Sequence, residues 1–139
     1  MKTLSKTAYN SALGMLAKRE HSCMELHTKL IQWYKEDEVT EAIAKLTQEN
    51  YQSDERFASE FIQMRFNQGK GPIKIAIDLR QRGIHDFDLS EYDFFALAKS
   101  IRVRKYGEEP PSERKEKAKQ QRFLQSRGFD FEQINCSFD

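Results

Sequence analysis

The chain has little that breaks a helix. Three prolines and six glycines punctuate its 139 residues, and long stretches carry neither, which favours helices over a turn-rich β architecture. Cysteine is as sparse: Cys23 and Cys136 stand far apart, which argues against a disulfide framework and against a zinc ribbon. No apolar run approaches the roughly 18 residues that span a bilayer, so no membrane association is expected. The opening "MKTLSKTAYNSALGML" lacks the uninterrupted apolar core of a signal peptide. The expectation is a soluble, cytoplasmic protein.

Catalytic signatures are missing too. The "QGKGP" at 68–72 has neither the length nor the Ser/Thr of a G-x-x-x-x-G-K-[ST] loop, so no nucleotide site follows. Its glycines and Lys70, at a helix start, read as a breaker and cap in preference to a seat for one phosphate. Ser, Cys and His never fall in a spacing that suggests a nucleophile, and the carboxylates scatter over predicted solvent faces. His21-x-Cys23-x3-His27 would set Cys23 and His27 at i, i+4 on a helix, as a metal site can require. No fourth ligand is evident nearby, so two surface histidines and a buried thiol are expected. No catalytic residue, cofactor or metal is assigned.

What the chain does have is charge and helical periodicity. Charged residues make up 32% and hydrophobic residues 38%, a polar balance that suits a high-surface architecture better than one thick core. The net charge of +1 hides an uneven distribution. Residues 1–64 carry 8 basic and 10 acidic side chains, residues 65–127 carry 15 and 9, and the last twelve carry three acids and no base. The basic middle holds "KSIRVRKYG" and "SERKEKAKQQR". Such a patch suits phosphate or an acidic partner groove. A solvated helix face is the alternative, because Glu108, Glu109, Glu113 and Glu116 sit among the bases.

Periodicity divides the chain. Ala8, Ala12, Leu13 and Leu16 share one face of a first helix. Ser22 with Glu25 forms a capping box for a second, striped by Leu26, Leu30 and Trp33. Val39, Ile43 and Leu46 mark a third, which Asn50 stops. Ser53 then caps a helix with Phe57, Phe61 and Met64 on its apolar face. After "GKGP", the segment "GPIKIAIDLRQRGI" alternates like a strand at Ile73, Ile75, Ile77 and Leu79. No partner strand is evident, and Pro72 suits a first helical position, so a helix is expected, with Ile73, Ala76 and Ile77 as its stripe and Ile75 and Leu79 as its flank.

The pattern repeats. Ser22 precedes Leu30 by eight residues and Gly71 precedes Leu79 by eight, with Leu26 matching Ile75. Leu124-x3-Gly128-Phe129 echoes Leu79-x3-Gly83-Ile84, although Gln120 stands where an aliphatic residue is expected. The reading is all-α: three tandem three-helix repeats at roughly 7–52, 53–89 and 90–139 in an elongated, curved arrangement. A repeat of this size cannot bury its apolar face alone, so neighbours must stack.

At this point the sequence resembles the RecX family, regulators of the RecA recombinase. The resemblance is carried by "LAKREHSCMELHTKL" (16–30), "YQSDERFASEFIQMRFNQGKGPIKIAIDLRQRGI" (51–84), "RKYG" (104–107) and "KAKQQRFLQSRGF" (117–129). None of these stretches is a catalytic signature, no enzyme is expected, and the resemblance implies tandem three-helix repeats. It also implies binding to RecA, chiefly to its filament on single-stranded DNA, with inhibition of ATP hydrolysis, strand exchange and the co-protease role in the damage response. The sequence departs from the pattern once: "IHDFDLSEYD" is short for the third helix of the middle repeat, which should be truncated or merged with the next.

The expected binding face comprises Arg102, Arg104, Lys105, Lys115, Lys117, Lys119 and Arg122, extended through the middle repeat by Lys70, Lys74, Arg80 and Arg82. Tyr106 is expected to pack at a helix end in preference to stacking on a base. A monomer with weak non-specific DNA affinity is anticipated. The rival reading is a helical protein with helix-turn-helix-like modules that binds DNA without RecA.

Overall fold

In a computed structural model, residues 7–139 are described, so the part of the leader-peptide reading that rests on residues 1–6 lies outside them. Among the described residues the chain forms eight helices and no strand: α1 Ala8–Lys18, α2 Cys23–Leu30, α3 Glu36–Gln48, α4 Asp54–Asn67, α5 Pro72–Gln81, α6 Phe94–Tyr106, α7 Arg114–Ser126 and α8 Phe131–Cys136. None is long and apolar enough to cross a membrane. The chain packs as two compact units whose boundaries fall within α4 and α5. One runs up to Phe61 and includes Leu79–His85; the other comprises Ile62–Asp78 and Asp86–Asp139.

The first unit is built on α1, α2 and α3. Ala8 and Ala12 meet Leu26, Leu30, Val39, Ala42, Ile43 and Leu46 in one buried cluster. The small alanines let α1 approach its neighbours closely. Thr7 caps α1 at the amide of Asn10. Ser22 caps α2 in a complete capping box: its Oγ accepts from the Glu25 amide at 3.1 Å, and the Glu25 carboxylate accepts from the Ser22 amide at 3.1 Å. Such an N-cap contributes about 1 kcal/mol. Asn50 ends α3 with φ +66°, and the amide of Tyr51 returns to the Leu46 carbonyl at 2.9 Å. Gly83 and Ile84 close α5 in the same way on Leu79, at 3.0 Å.

Two sequence assignments to the apolar faces are corrected. Trp33 is 67% exposed, because α2 ends at Leu30 and the turn carries the indole away from the Leu26–Leu30 stripe. Met64 is 46% exposed, whereas Ile62, on the other side of α4, is buried with Phe57 and Phe61. The expected faces of α5 are also exchanged. Ile75 and Leu79 are fully buried and Ile73 and Ile77 are exposed.

In the second unit α6, α7 and α8 pack on one another. Phe94, Ala98, Ile101, Leu124, Phe129 and Ile134 are buried there, and Phe66 of α4 sits edge-on to Phe94 with ring centres 5.3 Å apart. The middle repeat has only two helices among the described residues: 82–93 contains no helix, and α6 starts afresh at Phe94 with Asp93 as its cap. The expected third helix is absent rather than merged.

Candidate interaction surface

The basic residues singled out in the sequence separate into distinct environments. Arg104 and Lys105 are exposed on the last turn of α6, and Lys115, Lys117, Lys119 and Arg122 are exposed along α7. Lys115, Lys119 and Arg122 lie at i, i+4 and i+7, so they form one stripe, turned away from the face that buries Gln120 and Leu124. The one acid within α7 does not interrupt it. Glu116 points to the buried side, where its Oε2 accepts from Gln120 Nε2 at 3.1 Å.

Aromatic rings seat some of these cations. Lys105 Nζ lies 4.7 Å from the centre of the Phe123 ring, and Tyr106 meets Phe123 edge-on at 5.6 Å. Tyr106 therefore packs at the helix end, which leaves the edge of α6 joined to α7 through Phe123. Lys117 departs from the stripe and sits over Phe138 at 5.2 Å. Contacts of this kind are worth about 0.5–1 kcal/mol at exposed sites and hold the ammonium groups in place without neutralising them.

Arg102 is removed from the expected face. It is fully buried, with Nε donating to the Ser137 carbonyl at 2.9 Å and longer contacts from Nη1 to Gly107 O at 3.4 Å and Nη2 to Glu108 O at 3.5 Å. Ser137 and Gly107 are the C-caps of α8 and α6, so the negative ends of two helices converge on this guanidinium. The signal was in the sequence: Phe94, Ala98 and Arg102 follow one another at i, i+4 and i+8, the spacing of a buried stripe.

The residues named for the middle repeat are not one group. Lys70 and Lys74 belong to the second unit; Lys70 is half-buried, and Lys74 Nζ is 4.0 Å from Asp78 Oδ1. Arg80 and Arg82 belong to the first unit, with Arg80 exposed and Arg82 3.6 Å from Glu25 Oε2 and 4.8 Å above the Phe61 ring. At "GKGP" the chain itself occupies the helix start. The Gly71 amide donates to the Arg127 carbonyl at 2.8 Å and the Ile73 amide to the Gly128 carbonyl at 2.9 Å. A Cβ on Gly71 would fall 2.3 Å from the Gly128 carbonyl carbon, so glycine is required for this backbone approach. The α5 N-terminus is a docking point within the unit.

The histidines and the cysteine at 21–27 have separate partners. His21 is buried, and its Nδ1 lies 3.0 Å from the Arg19 carbonyl; desolvation pushes its imidazole below the ordinary value. His27 faces Glu36 at 3.7 Å, and Cys23 Sγ is 4.0 Å from Thr47 Oγ1. Burial pushes the Cys23 thiol up, away from a reactive thiolate.

These features define an all-helical tandem-repeat protein with a cationic helix face. Three RecX domain models match in order: the first three-helix domain at residues 8–46, the second at 53–91 and the third at 91–136. The chain belongs to the RecX family. Regulatory protein RecX of Halorhodospira halophila is 35% identical over 140 residues, covering 96% of this chain and 87% of that one. Its counterpart in Chromohalobacter salexigens is 35% identical over 141 residues, covering 96% and 92%. In structure the chain is similar to RecX from Lactobacillus salivarius, with a TM-score of 0.79, 25% identity, and 94% and 91% of the two chains covered. A second RecX crystal structure gives a TM-score of 0.78 with 26% identity, covering 92% of this chain and 69% of that one.

Proposed function

We propose that this chain binds the RecA recombinase, chiefly as its filament on single-stranded DNA, and inhibits ATP hydrolysis, strand exchange and co-protease action. Membership of a family whose relatives are named regulatory proteins supports the reading. The observation that carries the site is the α7 stripe of Lys115, Lys119 and Arg122, continued by Arg104 and Lys105 at the end of α6, from which the neighbouring Glu116 is turned away. A surface of this kind attracts a polyanionic filament over long range and fixes its register through local contacts. The protein acts in the cytoplasm, as a monomer, in recombination and the damage response, and holds bare DNA only weakly.

The test is a titration of the labelled chain with RecA assembled on single-stranded DNA, with the same DNA alone, and with RecA alone. Binding should be tightest to the filament. Equal affinity for the bare DNA would overturn the reading and make this a DNA-binding protein that acts without RecA. Where the stripe meets phosphate, each lysine removed should lower the log–log salt slope by about one.

A further inference from the structure

We infer that a cleft in the first unit, built from none of the α6–α7 residues, is a docking site for an acidic peptide segment of a partner protein. The cleft is open, has a volume of about 470 Å³, and is walled by Met15 of α1, Arg19 at the C-cap of that helix, Met24, Glu25 and Lys29 of α2, and Arg82 beyond the end of α5. That volume lies in the ordinary range of ligand sites. Its long-chain cations are three, Arg19, Lys29 and Arg82, against the single carboxylate of Glu25, an excess of two positive charges.

Glu25 is already engaged. Its carboxylate accepts from Arg19 Nη1 at 3.2 Å, Arg19 Nη2 at 3.4 Å and the Ser22 amide at 3.1 Å, and Arg82 Nε stands 3.6 Å away. One internal carboxylate thus holds two guanidiniums in position. The Arg19 side chain remains 54% exposed, and Lys29 is exposed on the last turn of α2. An incoming carboxylate meets cations whose geometry is set beforehand, which lowers the ordering cost of binding.

The wall is firm. Arg82 rests on the Phe61 ring at 4.8 Å, and a Cβ on Gly83 would come within 2.9 Å of Met24 Cβ, so the end of α5 is seated directly on α2. The apolar component is soft: Met24 is 49% exposed, and methionine adapts its shape to an apolar side chain. Ile31 and Trp33, both exposed, follow in the adjoining turn, and tryptophan is a residue type that anchors interfaces. No Phe, Tyr or Trp ring lines the cleft, the His21 imidazole at its wall is buried and offers no open face for a base to stack on, and a fixed carboxylate stands among its cations. These facts favour a peptide over a nucleic acid.

The experiment uses the whole chain with 13C-methyl methionine. The probes are a synthetic peptide with one leucine flanked by aspartates, the same peptide with lysines in place of aspartates, and oligothymidylate. The Met15 and Met24 methyls should shift saturably with the acidic peptide alone, while Met64, exposed in the second unit, stays still. Lys29→Glu should weaken the acidic peptide at least about tenfold with helicity unchanged. Unmoved Met15 and Met24, movement of all three methyls together, or an equal response to oligothymidylate would each overturn the inference. The readout contains no RecA, so the docking cleft and the filament reading stand or fall separately.

Discussion

Arg102 has the largest fully buried side chain among the described residues, and main-chain carbonyls rather than a carboxylate meet its charge. Replacing it strands those carbonyls and empties the space over Phe138, whose ring it faces at 5.1 Å. Arg102→Met should therefore lower stability by about 3 kcal/mol in urea unfolding, and Arg102→Lys should fall between. Unchanged unfolding in Arg102→Met would return the residue to the surface. Gln120 presents the opposite case. It is 3% exposed, its Nε2 is bonded to Glu116, and its Oε1 has no hydrogen-bond partner. A buried acceptor left unmatched costs about 1–3 kcal/mol. Gln120→Leu should accordingly raise the thermal midpoint, by about 1 kcal/mol in stability. A lower midpoint would mean that the amide is needed where it stands.

At the scale of the helix, the repeat frame was legible and the choice of face was not. The eight-residue register that pairs Leu26 with Ile75 and Leu30 with Leu79 selects residues that are all buried, and Gln120 and Leu124 occupy the same two places in α7. Helix endings were readable because Asn50, Gly83 and Gly128 supply the left-handed turn that returns a backbone amide to the preceding leucine. The orientation of α5 was hidden because Ile73, Ile75, Ala76, Ile77 and Leu79 surround the helix with apolar groups, and Asp78 shares the buried side near Arg65, 3.7 Å away. Periodicity cannot choose between such faces; packing does. Ile75→Ala should cost about 3 kcal/mol and Ile77→Ala less than about 1, by chemical denaturation. A reversal of that order would restore the face suggested by spacing alone. For the site, the basic run "SERKEKAKQQR" named the α7 cations, but their grouping into a stripe that leaves out Lys117 is visible only in the structure, and Arg102 was misjudged because its charge outweighed its place in a buried series. The close approach of Gly71 to Gly128 joins segments more than fifty residues apart and leaves no local signal.

Across the molecule, basic residues concentrate between 65 and 127 while the chain as a whole carries only +1. The cationic surface is therefore a property of particular helix faces and not of net charge. Combined reversal of Arg104, Lys105 and Lys119 to glutamate removes exposed charge without touching the buried clusters. It should leave the helical circular dichroism intact and slow association with the RecA filament at least about tenfold. Full association in that variant would reject the face. The most direct measurement is the single-stranded-DNA-dependent ATP hydrolysis of RecA in the presence of increasing amounts of this chain. The rate should fall at ratios well below one chain per RecA, with the triple reversal markedly weaker than the unaltered protein. An unchanged rate in excess of this chain and at low salt would contradict the proposed inhibition.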